Sequence, residues 1–82
     1  MAATRSALIE ALAGHVGTTP LTEREIEACL ALAAVAAHGT GDRTAAPLAS
    51  FLAGIAAVRT DNRAATLDEL RRYTASIAPP RP

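Results

Sequence analysis

The stretch that most constrains the fold is residues 21–39, LTEREIEACLALAAVAAHG. Thr22 is placed as an N-cap, with Glu25 three residues on to close a capping box. Leu21 and Ile26 occupy the two positions of a hydrophobic staple. Glu23, Glu25 and Glu27 put negative charge on the positive end of the helix dipole, and His38 sits near the negative end. Gly39 is the natural candidate for a left-handed C-terminal residue. Between these signals, residues 28–37 are uninterruptedly apolar. A helix over 23–38 therefore has no polar face beyond its first turns, and a helix that is apolar all round belongs in a core. The sequence thus predicts a buried second helix with neighbours on most sides.

Three further helices are expected around it. Leu8, Leu12 and Val16 recur at i, i+4 and i+8, which predicts a helix over 4–16 closed by Gly14 and Gly17. Pro47 suits the first turn of a helix over 47–59, where its missing N–H costs nothing. That helix places Leu48, Phe51, Leu52, Ile55 and Val58 on one face, and Ala49, Ala53 and Ala57 on another. Gly54 in mid-helix costs up to about 1 kcal/mol relative to alanine. Close backbone packing against the small residues of the second helix would explain it. Thr66 and Glu69 form a second capping-box pattern ahead of a helix over 67–77, with Leu67, Leu70, Thr74 and Ile77 as its apolar stripe. Short connections and no strand-like alternation give an all-α fold, a compact four-helix bundle with a central second helix. One helical domain over residues 1–78 and a Pro-rich tail at 79–82 complete the organisation.

The apolar material for this core is thin. Of the 82 residues, 21 are alanine, while Leu, Ile and Val together number 16 and the only aromatics are Phe51 and Tyr73. Burying a large side chain contributes about 1.5–3 kcal/mol, whereas ordering a residue costs about 1–2 kcal/mol. An alanine-rich chain of this length is marginal alone, so a homo-oligomer or docking on a protein partner is expected.

Several function classes are disfavoured. Eight arginines balance eight acidic residues, for a net charge of zero. No helix gathers several basic residues on one face, so nucleic acid is not an expected partner. The longest apolar run, ten residues, falls well short of the ~18–20 that span a bilayer. Residues 1–14 carry Glu10 inside their apolar pattern, unlike a signal peptide, and the single Cys29 fits a reducing compartment. A cytoplasmic location follows as an expectation.

Candidate chemistry is sparse. His15, Cys29 and His38 are the only soft metal ligands, and none of the usual zinc pair spacings occurs, so no metal site is expected. Cys29 and His38 are nine residues apart on one helix, which at 3.6 residues per turn sets them on opposite faces. Glu23, Glu25 and Glu27 diverge around the helix and do not converge on a substrate. No catalytic residue and no cofactor is assigned. The best candidate is the loop His38-Gly39-Thr40-Gly41-Asp42-Arg43-Thr44. Its glycines free backbone N–H groups, Arg43 offers a phosphate fork and the threonines add hydroxyls. It lacks the P-loop spacing and follows a helix C-terminus, whose dipole disfavours anions. A helix cap followed by a polar connection is the simpler assignment.

The segment 30–59 also resembles a known family. Ala37-His38, Arg43, Ala46-Pro47-Leu48, Phe51-Leu52 and Gly54 follow the pattern of a small actinobacterial helical domain of unknown function. In that family a helix ending in AH leads through an Arg-containing loop to APL, FL and a glycine. Pro20 to Ile26, PLTEREI, resembles the family's opening, and the likeness extends over about residues 6–78. Members occur alone, or fused to or beside molybdenum-cofactor guanylyltransferases and related maturation proteins. The resemblance implies a non-enzymatic accessory role near molybdenum-cofactor handling, and it supplies no catalytic residues. On that reading Leu48, Phe51, Leu52 and Ile55 are core or interface, and His38, Arg43 and Thr44 are exposed polar contacts. The alternative is a small-molecule or nucleotide binder, or a minimal enzyme, using the 38–44 loop across a homodimer interface.

Overall fold

The computed structural model describes residues 4–79; the last three residues of the Pro-rich tail lie outside the described residues. Four helices follow in order: α1 (Arg5–Val16), α2 (Glu23–Thr40), α3 (Ala45–Ala57) and α4 (Arg63–Ile77). The described residues contain no strand. The protein is all-α, with α2 at its centre.

α1 begins where Thr4 accepts a hydrogen bond from the Ala7 N–H at 3.0 Å, and it ends on Gly17 in the left-handed conformation (φ 79°). At the start of α2 both arms of the capping box form: the Glu25 N–H donates to Thr22 Oγ1 at 3.2 Å, and the Thr22 N–H donates to Glu25 Oε1 at 2.8 Å. The helix runs past the expected stop at Gly39. Gly41 (φ 69°) takes the left-handed position instead. Gly39 has a different task, because a Cβ there would collide with the carbonyl of Ala78. The end of α4 comes down directly onto the backbone of α2 at this point, and only glycine leaves room for it.

α3 starts two residues earlier than Pro47 implies, so the proline is its third residue. It is still within the first turn, where no intrahelical N–H bond is lost. α4 begins a full turn before Thr66. Asn62 is its N-cap, accepting from the Ala65 N–H at 3.0 Å. Thr66 therefore lies inside the helix, where its hydroxyl donates back to the Asn62 carbonyl and meets that of Thr60 at 2.9 Å. The Thr66–Glu69 pattern does not form the cap because the Asn62 side chain, four residues upstream, already caps the Ala65 N–H and starts the helix there.

α2 packs against both α3 and α4, and α3 and α4 touch each other. The core is built from Leu32, Ala53 and Leu67, with Ala28, Cys29 and Leu70 packed around them. Among the described residues, Leu32, 2% exposed, is the one large side chain almost fully enclosed. The far side of α2, including Leu30 and Ala34, is open to solvent. No residue of α1 comes within 8 Å, Cα to Cα, of α2, α3 or α4. Ile9 overhangs a shallow cleft against Pro20 and Ile26, while Leu8, Leu12 and Val16 are exposed. The molecule measures 40 × 33 × 18 Å, a thin slab with an arm.

Candidate functional site

α3 is turned so that its alanines face inward and its large side chains face out. Ala53 is 1% exposed and Ala57 is also buried, whereas Phe51 is 70% and Val58 83% exposed. Leu48, Leu52 and Ile55 share the outward face. None of these five is in the core of the chain. Small residues on the inward side let α3 approach α2 closely, which explains the orientation locally. It leaves the most apolar face of the molecule bare, with no charged residue anywhere between Arg43 and Arg59. Gly54 lies on the exposed side, and a Cβ there would meet nothing within 4 Å. The close packing against α2 expected of it is absent, because Ala53 and Ala57 fill that role.

Two apolar grooves flank this ridge. On one side a groove of about 250 Å³ is lined by Leu21, Cys29, Gly54, Val58 and Leu67. On the other, one of about 180 Å³ is lined by Leu32, Leu52, Ala56, Leu70 and Thr74. Cys29 is half-buried on the floor of the first groove. A ridge of large side chains between two grooves can mate with another helix, but it holds no nucleophile–base pair.

At one end of the ridge stands the stretch 38–44, whose first three residues belong to the last turn of α2, so that the expected loop is reduced to residues 41–44. His38, Arg43 and Thr44 are all exposed and close in sequence to Leu48. The loop's polar groups are largely engaged with each other. Asp42 Oδ1 accepts from the Thr44 N–H at 2.9 Å and from the Thr44 hydroxyl at 2.7 Å. These bonds hold the Asp42 carboxyl below its usual range. The Thr40 hydroxyl donates to the Ala36 carbonyl at 2.7 Å and accepts from the Asp42 N–H at 3.1 Å. Among the described residues, only the Arg43 guanidinium of this loop's charged groups has no ion-pair or hydrogen-bond partner.

The other end of the ridge is fixed by a residue that the sequence marks only as a cap. Glu25, 7% exposed, is the one buried charged residue among the described residues. Arg63, in the first turn of α4, donates from Nε to Glu25 Oε2 at 2.5 Å and from Nη2 to Oε1 at 3.0 Å. Arg63 Nη2 also reaches Thr19 Oγ1 at 3.2 Å. The Arg63 bonds, followed by the Thr22 backbone, hold the Glu25 carboxyl below its usual range, against the opposing effect of burial. One carboxylate thus caps α2, anchors α4 and, through Arg63, ties in the loop after α1. The capping box was visible in the sequence. The second partner was not, since Arg63 falls in a stretch that reads as a turn until Asn62 is recognised as the cap.

Among the described residues, no group of three or more His, Cys, Asp and Glu side chains could hold a metal ion. His15 and His38 are exposed on separate helices, away from the groove that holds Cys29. A polar cleft of about 260 Å³ between α2 and α4 contains Arg24, Glu27 and Asp68. Its Asp68 is already paired with Arg71 and Arg72, at 3.2 and 2.6 Å. No helix among the described residues is long and apolar enough to cross a membrane.

No curated protein and no solved structure matches the chain. A family does, over residues 2–80, nearly the whole sequence and all four helices. The chain belongs to the family described as a domain of unknown function, DUF6457.

Proposed function

We propose that this protein is a non-catalytic accessory module that works by docking its α3 ridge on another protein surface. The observation that carries this is the orientation of α3, alanines in and Leu48, Phe51, Leu52, Ile55 and Val58 out. Scattered exposed apolar residues are ordinary, but a contiguous apolar patch is the mark of an interaction site. His38, Arg43 and Thr44 form the polar rim at one end of the patch, where a charged side chain sets register more than affinity. The resemblance of residues 30–59 to domains found fused to or beside molybdenum-cofactor guanylyltransferases supplies the partner class: such a transferase, or a related maturation protein, in the cytoplasm.

Ligand binding by the 38–44 loop is the weaker alternative. A phosphate would have to displace the Asp42 carboxylate from the Thr44 N–H and hydroxyl, and it would meet a negative charge there. Calorimetry of the purified chain against the molybdenum-cofactor guanylyltransferase of the same genome tests the proposal. Binding is expected, weakened at least tenfold by Phe51→Asp and only a few-fold by Arg43→Ala. No heat with the transferase, together with binding of a guanine nucleotide that Arg43→Ala abolishes, would overturn it in favour of the loop.

A further inference from the structure

We infer that the surface of α3 is occupied by a second copy of this chain, in a two-fold dimer in which each α1 lies across the partner's α3. This rests on the reading of α3 as a docking surface and names what covers that surface in the free protein, a copy that the transferase has to displace.

The first ground is α1 itself. A helix of 12 residues is marginal in water without tertiary support. α1 has no Cα within 8 Å of the other three helices and buries only Ala13, with Ile9 half-buried, yet Leu8, Leu12 and Val16 give it the i, i+4, i+8 anchors of a helix that lies in a groove. Gly17, left-handed at its end, and a short connection to α2 let the arm leave its own chain. That is the arrangement from which proteins exchange an element between identical copies.

Shape is the second ground. A two-fold interface must be complementary to itself. α3 is a ridge with a groove on each side, so the ridge of one copy has a groove of the other to enter. α1 and α3, at 12 and 13 residues, have matching lengths of about 18–20 Å.

Area is the third. From their exposures, the five outward residues of α3 present on the order of 650 Å² per chain, and the α1 stripe adds about 300 Å². A stable interface buries roughly 800 Å² per partner. α3 alone falls short of that figure, and α3 with α1 exceeds it. The absence of charge from Thr44 to Val58 agrees with an apolar contact between like surfaces.

Light scattering and sedimentation equilibrium on the full chain test this. The expected mass is twice the 8.4 kDa of one chain. Phe51→Asp should raise the dimer dissociation constant at least 30-fold and Leu12→Asp about tenfold, with helical circular dichroism retained. Phe51 makes no core contact, and Leu52→Glu provides a second variant on the same face should Phe51→Asp fail to fold. For α1, a Leu12→Cys chain is mixed with a Leu52→Cys chain, both carrying Cys29→Ser, and treated with a short bismaleimide. A cross-link joining the two different chains is expected. An 8.4 kDa mass at every concentration up to the millimolar range overturns the dimer. A dimer that gives no mixed cross-link overturns the exchange of α1. A monomer that still binds the guanylyltransferase through Phe51 refutes this inference and leaves the docking reading intact; a dimer that binds no transferase does the reverse.

Discussion

Replacing Glu25 with alanine removes three hydrogen bonds that join separate parts of the chain. One is the capping-box bond from the Thr22 N–H, and loss of a helix cap costs about 0.5–2 kcal/mol. The other two come from Arg63. Breaking a buried pair costs about 3–5 kcal/mol, and an exposed pair about 0–1 kcal/mol. Here the Glu25 side chain is 9% and the Arg63 side chain 31% exposed, so the abandoned guanidinium can regain water. About 2 kcal/mol for the pair is the appropriate scale, discounted for that access. Together with the cap, Glu25→Ala should destabilise the chain by about 2–4 kcal/mol. For a domain of this size each kcal/mol moves the melting temperature by about 4–8 °C, so the drop should be about 8–30 °C. Urea unfolding at fixed protein concentration measures it, because association would make stability concentration-dependent. Arg63→Ala and the double variant close a cycle whose coupling should be about 1–2 kcal/mol. Additive single effects, or a loss below about 0.5 kcal/mol for Glu25→Ala, would show that α4 is not anchored through this carboxylate.

The same pair gives the pH dependence. The folded Glu25 carboxyl lies below its ordinary value of 4.5, so its contribution is complete above that pH and is lost as pH falls through the folded value. The stability difference between the wild type and Glu25→Gln should therefore be flat from pH 7 to about 5 and shrink below about 4.5, followed by circular dichroism. Gly39→Ala forces a methyl against the Ala78 carbonyl and should cost about 1–3 kcal/mol in denaturant unfolding, despite the better helix propensity. Gly54→Ala meets no atom, so in the Phe51→Asp background it should raise the melting temperature by the few degrees that correspond to about 1 kcal/mol. Asn62→Ala removes the N-cap of α4 and should cost about 1 kcal/mol, whereas Thr66→Ala should not behave as a cap deletion.

The helices were legible because their signals are local. The cap of α2 reads directly from Thr22 and Glu25, and the stripe of α1 from its spacing. The misplaced boundaries came from residues with two uses. Gly39 looks like a helix stop, but it is kept small by Ala78, 39 residues further on, and no local pattern announces that contact. Thr66 and Glu69 spell a capping box that Asn62 pre-empts. The burial of Glu25 depends on Arg63, 38 residues away in sequence. Periodicity identified the five large residues of α3 as one face, but it could not say which way that face points, because both faces of the helix are apolar.

That ambiguity has a physical resolution in the composition of α2. From Ala28 to Ala37 six of the ten residues of α2 are alanine, and a helix surface of methyl groups packs best against another small surface at close approach. If α3 turned Leu48, Phe51 and Leu52 toward α2, the helices would stand further apart, and the contact between Leu32, Ala53 and Leu67 would open. Turning Ala53 and Ala57 inward keeps the helices close and the cavity volume low, at the cost of leaving the larger side chains in water. One chain cannot satisfy both demands with two apolar faces on one helix. A second protein surface satisfies both: the alanine face builds the fold, and the leucine and phenylalanine face is free to build the complex. Substitutions should separate accordingly. Ala53→Leu should disrupt folding by overpacking, while Phe51→Ala should leave the fold intact and weaken association.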